Sequence, residues 1–264
     1  MSQAKQRSSL GIWSQRLLSA ILLGGQVIVH VLSGKINRRN TVDQMAAVGP
    51  ESLLITIVTA IFVGMVFTIQ VSRELIDFGA GSTIGGVLSI ALTRELAPVL
   101  TGVVLAGRVG SAFTAEIGTM KVTEQIDALY MLKTDPLDYL VIPRVIACCL
   151  MLPILTVLFL VTGMTGGFLI ATTMYNLSPT SFLDSARNLT HTSDVADAMI
   201  KGGCFGVLIA IIGCSWGLTT TGGAKGVGQS TTAAVVTALL IIFITNFFLS
   251  WAMFQGTENI LQGM

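Results

Sequence analysis

SLLITIVTAIFVGMVFTIQVS, residues 52–72, is a run of 21 residues without a charge, closed by Glu51 on one side and Arg73 on the other. A helix that crosses the hydrocarbon layer of a bilayer needs about 20 mostly apolar residues. Pro50 stands just before the run, where the first turn of a helix tolerates proline. This stretch reads as a transmembrane helix, and it decides how the rest of the chain is read. Of the 264 residues, 52% are hydrophobic and only 11% charged, and the mean hydropathy is +0.79, whereas soluble domains carry roughly 25% charged residues. A water-soluble globular fold is excluded.

Four further runs have the length of a span. Residues 83–113 form the second, although Arg94, Glu95 and Arg108 lie within it. Residues 143–174 form the third, inside an uncharged stretch that continues to Leu183. Residues 200–222 and 230–257 form the fourth and fifth, parted by a glycine-rich turn around Lys225 that suits a helix reversal. The run 17–34 is interrupted by Gly24, Gly25, Gln26 and His30, so it reads as an interfacial helix. The expected fold is therefore all-α and polytopic. Residues 1–50 give a cytoplasmic N-terminus and interfacial helix, and 51–264 give a membrane domain of five transmembrane helices, the first at about 51–73.

Cytoplasmic loops carry an excess of Lys and Arg. Lys5, Arg7, Arg16, Lys35, Arg38 and Arg39 precede the first span, Arg108, Lys121, Lys133 and Arg144 lie around the loop between the second and third, and Lys225 follows the fourth. Only Arg73 and Arg187 fall in the opposite loops. The N-terminus is thus expected inside and the C-terminus outside. The first apolar run starts late and lacks a small-residue cleavage site, so no cleaved signal peptide is expected.

Other function classes drop out on charge and motif. Fifteen Lys+Arg against fourteen Asp+Glu leave a formal charge of +1, so no basic surplus exists for a nucleic-acid partner. The four cysteines sit in apolar runs without a CxxC pair, and read as small buried hydrophobes. His30 and His191 lie far apart in the chain, so no metal site and no catalytic histidine is expected. No catalytic motif is present, nor a GxxxxGK[ST] phosphate loop. The chain reads as a non-enzymatic membrane protein.

Arg94 and Glu95 lie in mid-span, where an ion on a lone helix costs roughly 2.5–3.5 kcal/mol on a translocon scale. Sequence neighbours on a helix point about 100° apart, so the two cannot neutralise each other along one face. Pro98 removes the hydrogen bond to the carbonyl of Arg94 and opens the helix beside these charges. Two readings follow: an interhelical ion pair, with Lys201 at the start of span four as the partner of Glu95, or a polar pocket for a headgroup. Small residues recur four apart at 81/85, 102/106, 163/167, 202/206 and 213/217, a spacing that lets helix backbones approach closely in lipid. Neither inverted interrupted helices nor a fixed-period repeat is visible.

Between spans two and three, AEIGTMKVTEQIDALYMLKTDP at 115–136 mixes Glu116, Lys121, Glu124, Asp127, Lys133 and Asp135 with apolar residues. Val122, Ile126 and Leu129 recur at helical spacing, so a short amphipathic helix over 119–134 is expected. Membrane-surface helices favour Lys and Arg on the polar face; here acids predominate, which points to a protein partner.

LTRELAPVLTGVVLAGRVGSAFTAEIGTMKVTEQIDALYMLKTDPLDYLVIPR, residues 92–144, resembles the core of MlaE-type permeases. Looser likeness extends from about residue 20 to the C-terminus, through the SGK at Lys35, the FVGMVFTIQ of span one and the MIKGGCFG that opens span four, with wording closer to the cyanobacterial and plastid branch. The resemblance implies that 51–264 is the permease domain of an ABC transporter for phospholipid or a related glycerolipid. It implies a homodimer, two copies of a cytoplasmic ABC ATPase that carries ATP and Mg, and an MCE-domain lipid carrier, with no cofactor bound by this chain. It implies a bacterial inner membrane or plastid inner envelope location. By the same resemblance Arg94, Glu95 and Lys201 line a lipid pocket with Phe67, Gln70 and Val71, and the segment with Glu116, Lys121, Glu124, Gln125, Asp127 and Leu129 couples to the ATPase. The competing reading is an ion- or proton-coupled secondary transporter that uses Arg94, Glu95 and Lys201 as a relay.

Overall fold

The computed structural model describes residues 2–32 and 38–261, with side chains over 13–30 and 38–253. Lys35 and its SGK lie outside the described residues. The described residues are helical, without a strand. In chain order the helices are α1 (Ser2–Leu32), α2 (Arg38–Val48), α3 (Leu53–Asp77), α4 (Gly81–Val122), α5 (Gln125–Met131), α6 (Leu137–Thr173), α7 (Pro179–Leu189), α8 (Thr192–Leu218) and α9 (Gly223–Leu261). Among the described residues, five segments are long and apolar enough to cross a membrane: 38–77, 81–122, 137–173, 192–218 and 223–253. This is a polytopic all-α membrane protein. The apolar run at 17–34 falls in the second half of α1, which continues to Leu32 without a break at Gly24 or Gly25.

Three π-helical turns interrupt the α pattern: Leu92–Leu96 and Ala106–Gly110 in α4, and Leu137–Val141 at the start of α6. Each holds a charge: Arg94 and Glu95, Arg108, and Asp138. The segment expected as one helix over 119–134 is split. Backbone of Thr123 bonds back to the carbonyl of Thr119, and Glu124 takes a left-handed conformation at φ 62°, so α4 stops at Val122 and α5 starts anew.

The chain divides into two compact units. The first holds Met1–Val48, Leu105–Cys148 and Gly206–Ile241. Here a Cβ at Gly217 would stand 2.8 Å from that of Ile117, and one at Gly213 would stand 3.0 Å from the Gly110 carbonyl. The two glycines bring α8 against α4, where the Thr114 hydroxyl donates to the Gly213 carbonyl at 3.0 Å. Buried Trp216 meets Trp13 of α1 edge to face, 6.5 Å between centroids. Arg108 donates to the Ala47 carbonyl at 2.9 Å and fixes the end of α2.

The second unit holds Gly49–Val104, Cys149–Phe205 and Ile242–Met264. Ala60, Ile84, Leu88, Leu92, Phe159 and Phe182 are buried in its core. Gly64 of α3 lies against the backbone of Gly163 in α6, and Gly167 leaves room for Leu88 and Thr68. The expected close packing is thus realised by both members of 163/167 and of 213/217. At 81/85, Gly85 meets the backbone of Phe182 while Gly81 faces only side chains. Amphipathic α7 puts Phe182 into the core, edge-on to Phe168 at 5.5 Å, and leaves Asp184, Arg187 and Asn188 exposed.

Candidate functional site

The site begins with Pro98, which has no N–H to give to the carbonyl of Arg94. The π turn over Leu92–Leu96 lets Ala97 bond back to Leu92 instead. The Arg94 carbonyl then accepts from the ammonium of Lys201 at 2.7 Å. That ammonium also donates to Glu95 Oε1 at 3.0 Å and to Ser250 Oγ at 2.8 Å. Lys201 has three donors and no acceptor, so all three are met, and the residue is 2% exposed. Glu95 is held in turn by the Ser250 hydroxyl at 2.6 Å and by the Asn246 amide on Oε2 at 2.7 Å. Glu95 nonetheless keeps 43% of its side-chain surface uncovered.

Arg94 points to another partner, as its position next to Glu95 requires. Its Nε donates to Asp194 Oδ1 at 3.0 Å, and the other oxygen of Asp194 accepts from the His191 amide at the start of α8. The Arg94 side chain remains 35% exposed. Four ionised groups therefore share one patch in the second unit, as two pairs with a balanced sum of charge. On α3, Phe67 packs on the hydrophobic core, Gln70 is exposed and Val71 is half-buried.

The Glu95–Lys201 pair expected from sequence is formed. The remaining ligands, Asp194, Asn246 and Ser250, were not picked out. Asp194 lies at a helix start that resembles an ordinary cap, and Asn246 and Ser250 are uncharged residues about 150 positions from Glu95.

In the first unit the residues expected to couple to a partner occupy two helices. Glu116 lies on α4, where Arg144 Nη2 donates to its Oε2 at 2.8 Å, and 56% of its side chain is exposed. Lys121 Nζ reaches Asp127 Oδ1 at 3.2 Å across the break at Thr123 and Glu124. Glu124 and Gln125 are exposed at the start of α5, Ile126 is buried, and Leu129 is half-buried. Beyond them Tyr130, Met131 and Leu132 are 61%, 86% and 73% exposed. A short helix held down by Ile126 thus presents an acidic edge and an uncovered apolar tip.

His30 has Nδ1 2.6 Å from Asp138 Oδ1, with Asp135 close enough that the three could share a metal ion, a grouping the sequence reading did not pick out. Asp135 also accepts from the Leu137 amide at 2.9 Å, a helix-start bond that accounts for its placement without an ion. The pairing escaped the sequence because it joins positions 108 apart.

Compared with known proteins, residues 41–252 match the family described as Permease MlaE. A probable ABC transporter permease protein of Synechocystis sp. is 67% identical over 263 residues, covering 100% of each chain. The protein trigalactosyldiacylglycerol 1, chloroplastic, of Arabidopsis thaliana is 50% identical over 259 residues, 98% of this chain and 73% of its own length. A probable ABC transporter permease protein of Rickettsia felis is 41% identical over 214 residues, covering 81% of this chain and 83% of its own.

Proposed function

Because the chain belongs to the MlaE permease family of ABC transporter permeases, we propose that it is the membrane subunit of a lipid transporter driven by a separate ATPase. The observation that carries the lipid reading is the partial exposure of Arg94 and Glu95 inside a membrane-crossing helix. Charges in that setting face a cavity or a polar ligand rather than lipid tails. A glycerolipid headgroup offers both an anion for Arg94 and hydroxyl or ammonium donors for Glu95. On α3, Phe67 and Val71 offer apolar surface and Gln70 a polar group to the same cargo, as the family resemblance implies.

Physical cost dictates the route. Moving a two-chain lipid with about 30 buried methylenes into water would cost on the order of 24 kcal/mol, at about 0.8 per methylene. The cargo passes from bilayer to permease to an apolar carrier, the role of an MCE-domain partner. Two copies of the permease enclose the path, and two copies of a cytoplasmic ATPase bind ATP and Mg, for which this chain has no motif. Glu116, Lys121, Glu124, Gln125, Asp127 and Leu129, with the uncovered tip at Tyr130–Leu132, form the surface that the ATPase grips. The N-terminus then faces the cytoplasm and the C-terminus the far side of a bacterial inner membrane, or the equivalent faces of a plastid inner envelope.

The relay of an ion-coupled carrier is less well supported, because Lys201 is enclosed and all three of its donors are engaged. The deciding experiment reconstitutes the permease in vesicles with its ATPase and carrier. Glu95→Gln, which keeps an oxygen for Lys201, is expected to lower lipid transfer with dimer assembly intact, and unchanged transfer rejects the pocket. The double reversal Glu124→Lys with Asp127→Lys is expected to release the co-purifying ATPase. Transport without any ATPase would return the carrier reading to favour.

A further inference from the structure

A polar cavity, of about 210 Å³, opens within the first unit between α2 and the start of α6. Asn40, Asp43, Gln44, Tyr139 and Arg144 stand on its walls. None of them belongs to the ionic patch around Glu95 or to the partner-facing helix α5. Arg144 is the deep residue, with 7% of its side chain exposed. Its Nη1 donates to the Leu140 carbonyl at 3.0 Å, its Nη2 to Glu116, and its Cζ lies 5.3 Å from the Phe113 ring centroid. Its Nε is buried and has no acceptor. Buried donors are nearly always paired, so an orphan within a residue that lines the cavity points to a ligand oxygen as its missing partner.

Topology gives the depth. α2 leads through Pro50–Ser52 into the first span, and Leu137–Val141 opens the third. Spans one and three run in the same direction, so both walls lie where the chain enters the membrane, at headgroup level.

Charge and bonding pattern give the ligand. Arg144 is already shared with Glu116, and Asp43 adds a second carboxylate, so the three groups sum to a formal −1. A phosphate would add a like charge and offers mainly acceptors. The walls offer both roles: Arg144 Nε donates, Asp43 accepts, and the Gln44 amide and Tyr139 hydroxyl do either. A neutral ring of hydroxyls, each both donor and acceptor, matches this set. The volume equals the share of about seven waters at ~30 Å³ each and falls below the ~300–1,000 Å³ of sites for whole drug-sized ligands. It holds a ring, not a lipid.

We propose that this cavity binds a neutral, hydroxyl-rich ring: the sugar of a glycosyl lipid in the adjoining leaflet, or a free sugar. The inference rests on the membrane reading of the chain but not on transport or on the cargo at Glu95. The test uses the full chain, without ATPase, in phosphatidylcholine nanodiscs doped equally with galactosyldiacylglycerol and phosphatidylglycerol of matched acyl chains. Lipids retained on the protein are counted by native mass spectrometry. The wild type is expected to retain the sugar lipid preferentially, and Gln44→Leu to cut that preference roughly three- to tenfold, the effect of losing one hydrogen bond.

Gln44 is half-buried on α2 and Tyr139 is exposed, so Gln44→Leu and Tyr139→Ala leave the packing around Arg144 in place. Displacement of the retained lipid by methyl β-galactoside identifies the headgroup as the recognised part. If methyl β-galactoside instead raises the unfolding temperature of wild type but not of Gln44→Leu in detergent, with no lipid preference, the source is a free sugar. Equal or greater retention of phosphatidylglycerol with no response to the galactoside overturns the proposal, as does a sugar preference undiminished in both variants. Because no transfer is measured, failure here leaves the transporter reading standing, and failed transfer leaves this result standing.

Discussion

Lys201 closes two defects at once: the carbonyl that Pro98 leaves without a donor, and the carboxylate of Glu95. Replacing it with methionine strands the carbonyl and leaves the Glu95 charge with only the neutral donors of Ser250 and Asn246. Lys201→Met is expected to destabilise the protein by about 3 kcal/mol, the low end for stripping one partner from a buried pair, because Glu95 keeps 43% exposure. Lys201→Arg is not expected to restore the loss, since a planar fork cannot aim at three acceptors arranged around one ammonium. Thermal unfolding of the detergent-solubilised protein checks both. At the break before α5, Glu124→Gly is expected to stabilise by about 1 kcal/mol by relieving the left-handed conformation of a non-glycine residue. The same melts read it out, and a fall in stability would mean that the Glu124 side chain holds the break. Arg94, Glu95 and Lys201 were legible because a charge inside an apolar run stands out against its background. Asp194, Asn246 and Ser250 were not: what singles them out is proximity to Glu95 and Arg94 in space, which no local pattern encodes.

The long helices announce themselves through apolar runs of bilayer length, and their close contacts through small residues. Which glycines matter is settled only by packing. Gly64 lies against the backbone of Gly163, which cannot swing aside. Gly64→Ala is therefore expected to force α3 and α6 apart and to cost about 1–3 kcal/mol, as overpacking does. Gly228 on α9 has open space around its Cβ position, so Gly228→Ala is expected to stabilise by about 0.5–1 kcal/mol through helix propensity alone. Melting the two variants side by side tests whether contact or composition governs. Helix α7 escaped the sequence reading, which placed a loop there. A helix this short owes its order to tertiary packing of one face, and that face is Phe182 against Phe168 and the backbone at Gly85.

Five crossings send successive turns to alternate sides of the bilayer. In a background without the native cysteines, Leu132→Cys and Lys225→Cys are expected to react with an impermeant thiol reagent from one side only. Phe78→Cys and Asn176→Cys are expected to react only from the other. Labelling of Lys225→Cys and Asn176→Cys from the same face would break the five-span order. The number of spans was written in hydropathy, but the division into two units was not, because four of its five boundaries fall inside continuous helices, at 104/105, 148/149, 205/206 and 241/242. Composition does not change at those points. The three π turns carry one last implication. Each accommodates a surplus residue in what would otherwise be a regular coil, so the chain should tolerate a one-codon deletion there better than anywhere else along the same spans. A deletion at Gly107 would rewind that turn and leave both flanks in register, whereas one taken mid-coil would rotate every downstream side chain onto a foreign face.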